Sequence, residues 1–137
     1  MIVFLITLQT FVRTITHHKL RGDRLLSGKL LSSKQETSLI KSFKIDVNNT
    51  LFRFFPGQWT DFYVFKDNNT QNFHKDNVMV AGFSMTSCPK QLENTGIIEF
   101  TIKKTRHPVT QYMHDVPIGA EFHIDGGHGE FYYTKER

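Results

Sequence analysis

The sequence predicts a mainly β protein, a barrel of six short antiparallel strands with one short helix. Three observations carry that prediction. Apolar and β-branched residues alternate with period two in several short runs, the pattern of half-buried strands. Asn pairs and glycine clusters separate the runs at close spacing. A chain of 137 residues, 39% hydrophobic with 13 Phe, has enough apolar material for one domain with a packed core.

The strands follow in order. Ser38 to Val47 alternates over Phe43, Ile45 and Val47, and Asn48-Asn49 makes the turn after it. Trp59 to Phe65 is rich in aromatic and β-branched residues, so it reads as the second strand. Lys66 to Asn77 is polar and reads as an exposed loop. Val78 to Ser84 is the third strand, and Gly96 to Lys104 the fourth, with Ile98, Phe100 and Ile102 on one face. A short helix runs from Val109 to Asp115, capped near its start by a hydroxyl. Glu121-Phe122-His123-Ile124 and Glu130-Phe131-Tyr132-Tyr133 complete the six as short strands around a glycine turn.

The net charge of +4 is concentrated at the N-terminus. Residues 1–34 hold Arg13, Lys19, Arg21, Arg24, Lys29 and Lys34 against the single acid Asp23. Of 17 basic and 13 acidic residues, that leaves 11 and 12 for residues 35–137, a net charge of about −1. The body therefore has no large excess with which to neutralise phosphates in bulk, which argues against a nucleic-acid binder. Met1 to Val12 is apolar but too short for a stable membrane span, which needs about 20 residues. The Arg-, Ser- and Leu-containing stretch after it suits a mitochondrial transit peptide; an unstructured N-terminus fits as well, and a secretory anchor ranks third. The expected organisation is a leader over 1–34 and a barrel over 35–137, with a mitochondrial location or otherwise a cytoplasmic one. One cysteine, Cys88, excludes an intrachain disulfide and a cysteine-based zinc site. His123, Asp125 and His128 match no standard zinc spacing, so no metal is expected.

Five motifs occur in order: Pro56-Gly57-Gln58-Trp59, Ala81-Gly82-Phe83-Ser84, Ile102-Lys103-Lys104, His107-Pro108-Val109-Thr110 and Gly126-Gly127-His128-Gly129-Glu130-Phe131. Together they resemble the ferredoxin-reductase-type FAD-binding domain, over residues 37 to 133. The resemblance implies a Greek-key barrel that binds FAD. By that resemblance Gly82, Phe83 and Ser84 line the flavin, the ring stacking and the hydroxyl bonding near the redox-active nitrogen. A core role for Phe83, with Ser84 solvated, is the competing assignment. Lys103, Lys104 and Thr110 meet the diphosphate, with Thr110 capping the helix and leaving its N–H groups toward the phosphates. A solvated strand end for the two lysines, and capping without phosphate for Thr110, fit these residues equally well. Two departures stand out. Ala81 occupies the place of an arginine that pairs with the pyrophosphate, and His107 the place of a glycine. Loss of one charge-assisted contact weakens binding by roughly 1.5–3 kcal/mol. Gln58 and Trp59 read as structural.

The expected function is the flavin-binding half of an NAD(P)H-dependent oxidoreductase, passing electrons or hydride through FAD. No catalytic residue is assigned. Gly126-Gly127-His128-Gly129 lacks the dinucleotide spacing, so NAD(P)H is expected to bind only through a C-terminal domain absent from this chain, which would not be catalytically complete alone and reads as a fragment. The alternative is a non-catalytic barrel module that has lost tight FAD. A third class, a barrel for single-stranded nucleic acid, is disfavoured by the near-neutral body.

Overall fold

The computed structural model describes residues 25–48, 52–67, 70 and 72–135. Six strands form in chain order: β1 (Leu26–Gln35), β2 (Ile40–Asp46), β3 (Trp59–Phe65), β4 (Val78–Ser84), β5 (Ile97–Lys103) and β6 (Glu121–His128). Helix α1 (Pro89–Thr95) joins β4 to β5, and α2 (Pro108–Asp115) joins β5 to β6. The strands make one antiparallel sheet in the order β4-β3-β6-β1-β2-β5, a Greek-key winding in which β6 inserts between β3 and β1. The two outer strands curl together, and an antiparallel bridge from Met85 to Phe100 joins them. The barrel predicted from the alternation is therefore the barrel that forms.

Alternation places the core. Phe62 of β3 is fully buried, and the rings of Phe83, Phe100 and Phe122 meet it edge-on at centroid distances of 5.3, 5.0 and 5.7 Å. Edge-to-face packing suits the ring quadrupole and fills the interior without voids. Helix α2 plugs one end. Val109 and Met113 face the core, and the buried His114 holds its Nε2 2.8 Å from the Ile102 carbonyl. Lys41 Nζ donates to the His114 carbonyl at 2.7 Å, satisfying a group that the end of the helix leaves orphaned.

Three expectations change. Among the described residues the sheet already includes Leu26–Gln35, ahead of the expected start at residue 35, because β1 pairs with β2 on one side and β6 on the other. Only Gly28 and Leu30 of β1 are buried, so its sequence carries little alternation; its last five residues run out as an exposed ribbon with β2. The leader boundary at 34 thus falls inside a sheet strand, while residues 1–24, where the rest of the transit-peptide reading falls, lie outside the described residues. Second, residues 130–133 are not a strand. Both edges of β6 are already occupied by β1 and β3, so a further hairpin partner has nowhere to pair. Third, α1 was not expected. It starts on Pro89 and ends at Gly96 in the left-handed region, φ 70°, a Pro-start and Gly-stop arrangement.

Candidate functional site

The site begins at the place where the barrel is least complete. Along β4, the half-buried Met79, Ala81 and Phe83 face inward against the core, while Val80, Gly82 and Ser84 face outward. Beyond the Met85–Phe100 bridge, β4 and β5 form no ladder among the described residues. Continued along both strands, the register of that bridge sets Gly82 level with Lys103 and Ala81 with Lys104. Only that extrapolated register, and no ladder hydrogen bond, relates the two lysines to Ala81 and Gly82.

Phe83 is half-buried at this seam, its ring edge-on to Phe62. Ser84 is exposed, and its direct cross-strand partner is Trp59. The indole is 41% exposed and lies over two glycines. A Cβ on Gly82 would come within 2.8 Å of Trp59 Cδ1, and one on Gly129 within 2.3 Å of Cζ3. Both positions need the absence of a side chain for the ring to lie flat. Trp59 was read from sequence as structural. The structure makes it an exposed flat ring beside Ser84, and the signal was available: Trp59 alternates with Asp61 and Tyr63 on the face of β3 opposite Phe62. Gln58 is structural, as expected. It is buried, accepts from the Phe55 amide at 2.8 Å and donates to the Gly129 carbonyl at 2.9 Å, tying the turn before β3 to the turn after β6.

The presumed phosphate side is arranged differently from expectation. Thr110 does not cap α2; it sits third in the helix and is buried. Its hydroxyl accepts from the Thr105 amide at 3.0 Å and donates to the His107 carbonyl at 2.9 Å, bracing the preceding loop. The cap is His107, whose Nδ1 accepts from the Val109 amide at 3.3 Å. Lys103 is exposed and has no ion pair among the described residues, whereas Lys104 Nζ lies 3.0 Å from Asp115 Oδ1.

A charged cluster lies behind Trp59. His128, the cross-strand partner of Trp59, holds its ring 6.2 Å from the indole. His128 Nε2 is 3.6 Å from Asp61 Oδ2 and 3.7 Å from Asp125 Oδ2, and both aspartates are buried. His123 is not part of it; its ring meets Phe65 edge-on at 5.7 Å. Among the described residues no group of three or more His, Cys, Asp or Glu is arranged to hold a metal ion. Two cavities lie away from the Ser84 site, one of about 560 Å³ between β3, β6 and α2 and one of about 230 Å³ against β1, β2 and β5. Their linings include none of the residues chosen from sequence. Lys34 and Ser42 hydrogen-bond the Glu36 carboxyl and hold it below the usual range, but it lies out on the exposed β1–β2 ribbon. Among the described residues no helix is long and apolar enough to cross a membrane.

The barrel is similar in fold to solved ferredoxin-reductase-like domains. The cytochrome b5 reductase domain of Ulva prolifera nitrate reductase superposes with a TM-score of 0.64 at 15% identity, over 83% of this chain and 45% of that one. Ferredoxin-NADP+ reductase from Plasmodium falciparum gives 0.62 at 14% identity, over 85% and 44%. In sequence, the chain is similar to Oxidoreductase NAD-binding domain-containing protein 1: the Xenopus tropicalis protein is 29% identical over 122 residues, 88% of this chain. The chain spans about a third (35%) of the length of that relative. No family model matches.

Proposed function

We propose that this chain is the flavin-binding half of an NAD(P)H-dependent oxidoreductase, with FAD held at the seam between β4 and β5. The observation that carries the reading is the outer face beside that seam, where the exposed Ser84 is paired with the exposed Trp59, while the half-buried Phe83 packs on the inner face of the same strand. A flat ligand with a polar edge finds the Trp59 ring for one face and the Ser84 hydroxyl for its edge. Lys103, level with Gly82 and without an ion pair among the described residues, supplies positive charge toward a diphosphate. FAD supplies the redox chemistry; the chain binds it, orients it and shields one side. NAD(P)H belongs to a separate domain, a reading supported by the relatives' greater length.

The test is the visible spectrum of the full chain with added FAD. A yellow protein with stoichiometric flavin is expected, and Phe83→Ala should weaken binding about tenfold, the value of one stacking contact of roughly 1–3 kcal/mol. Trp59→Phe adds a contact test, because an indole in van der Waals contact quenches flavin emission and a phenyl ring does not. Bound flavin should therefore brighten in that variant. A colourless protein that ignores FAD would support the second reading, a barrel module without tight cofactor. Two observations favour that reading: Ala81 lacks the arginine charge, and the Thr110 hydroxyl is committed to its own loop.

A further inference from the structure

His128 has no role in the flavin reading, yet its surroundings are unusual. Its Nε2 is buried and makes no hydrogen bond among the described residues, although two carboxylate oxygens lie within 3.6–3.7 Å. Those distances are just beyond hydrogen-bonding range, so a small movement of the turn would bring the ring N–H onto either oxygen. The contacts of the ring reach three strands. Asp61 belongs to β3, and its other oxygen Oδ1 lies 3.1 Å from where a Cβ on Gly82 of β4 would stand. Asp125 belongs to β6, and its carbonyl accepts from the Thr60 hydroxyl at 2.7 Å. The imidazole itself rests beside Trp59.

We infer that His128 is a positioning residue whose proton sets the seat of the Trp59 ring beside Ser84. With the proton on, the imidazolium is drawn between the Asp61 and Asp125 carboxylates, and the turn over residues 126–129 closes onto β3. With it off, the two buried carboxylates face a neutral ring, the attraction is lost and the indole relaxes from its place over Gly82 and Gly129. Among the described residues, the ionisable groups that meet the ring are Asp61 from β3 and Asp125 from β6. The ring also meets Trp59 of β3 and the Gly126 backbone of β6, neither of which titrates. The consequence for ligand binding rests on the proposal that FAD lies beside Ser84; the coupling of His128 to Trp59 does not.

Trp59 is the only tryptophan in the chain, so its signals need no assignment. In the full chain without flavin, the indole N–H resonance and tryptophan emission are followed from about pH 5 to 8, the range over which histidine changes charge. Both should move in one step whose midpoint coincides with that of the His128 ring resonances. His128→Gln should lose the step, and His123→Gln, on the same strand but against Phe65, should keep it. An indole signal that stays constant in the unmutated chain, or a step that survives in His128→Gln, overturns the inference. Should His128→Gln fail to fold, the coincidence of midpoints in the unmutated chain decides alone. FAD affinity, measured across the same range, should be higher on the acid side of the step. Flavin that binds with pH-independent affinity while the indole moves overturns the link to the ligand. Flavin that never binds overturns the proposed function and leaves the indole result standing.

Discussion

At the scale of single residues, Trp59 separates what a motif conveys from what a strand face conveys. The motif match led to Phe83 and Ser84, and both lie at the seam, but β4 alternation turns the Phe83 ring inward onto Phe62 while Ser84 faces out. The ring on the serine's own face comes from the neighbouring strand, which no linear motif within β4 can state. Thr110 errs in the opposite direction. A hydroxyl near a helix start reads as a cap, yet only the residue before the first helical turn can accept from the next amides, and that residue is His107. The Trp59 seat gives a direct prediction. Gly129 has φ +100°, and its missing Cβ would stand 2.3 Å from the indole. Gly129→Ala therefore combines backbone strain with displacement of a rigid ring, and should cost about 1–3 kcal/mol. Thermal unfolding should show the loss as a drop of several degrees, and near-ultraviolet dichroism should show a changed tryptophan environment. An unchanged melting point together with an unchanged tryptophan band would mean that the indole does not lie on that glycine.

At the scale of elements, the strands that carry strong alternation were legible: β2 through β5 appear within a few residues of their predicted bounds. β1 was not, because its sequence is polar and its buried positions are few. A strand held mainly by ladder hydrogen bonds to two neighbours need not advertise itself through apolar periodicity. The basic composition of residues 1–34 then drew β1 into the supposed leader. α1 was legible in principle, since Pro89 and Gly96 stand at its two ends, but its seven residues bury only Leu92 and so show no apolar face. The consequence is testable by truncation. A chain beginning at residue 36 lacks β1 and leaves facing edges of β2 and β6 unpaired, so it should lose cooperative unfolding and aggregate. A chain beginning at residue 25 keeps the sheet and should unfold in a single transition. Equal behaviour of the two in thermal melts would show that β1 is dispensable and restore the boundary at 34.

At the scale of the whole molecule, one end of the barrel gathers several exposed aromatic side chains. Around the turns that flank β3 and follow β6, Phe55 stacks on Tyr132 at 4.8 Å, and Tyr133 donates its amide to the Pro56 carbonyl at 2.9 Å. Phe131, 94% exposed, belongs to the same segment, and Trp59 and Tyr133 are exposed beside it. Exposed aromatics gathered at one end are the kind of surface through which proteins associate. The segment after β6 pairs with no strand among the described residues, and its Phe131 and Tyr133 side chains are left exposed. The chain alone should then self-associate with rising concentration. Sedimentation velocity should resolve oligomers in the unmutated chain, and the double substitution Phe131→Ser with Tyr133→Ser should shift the distribution toward monomer without lowering the melting temperature, since neither side chain is buried. FAD should leave this association unchanged if it occupies the seam. If instead the unmutated chain sediments as one monomeric species at every concentration, the aromatic end is not an interface, and the case for a covering domain loses its structural support.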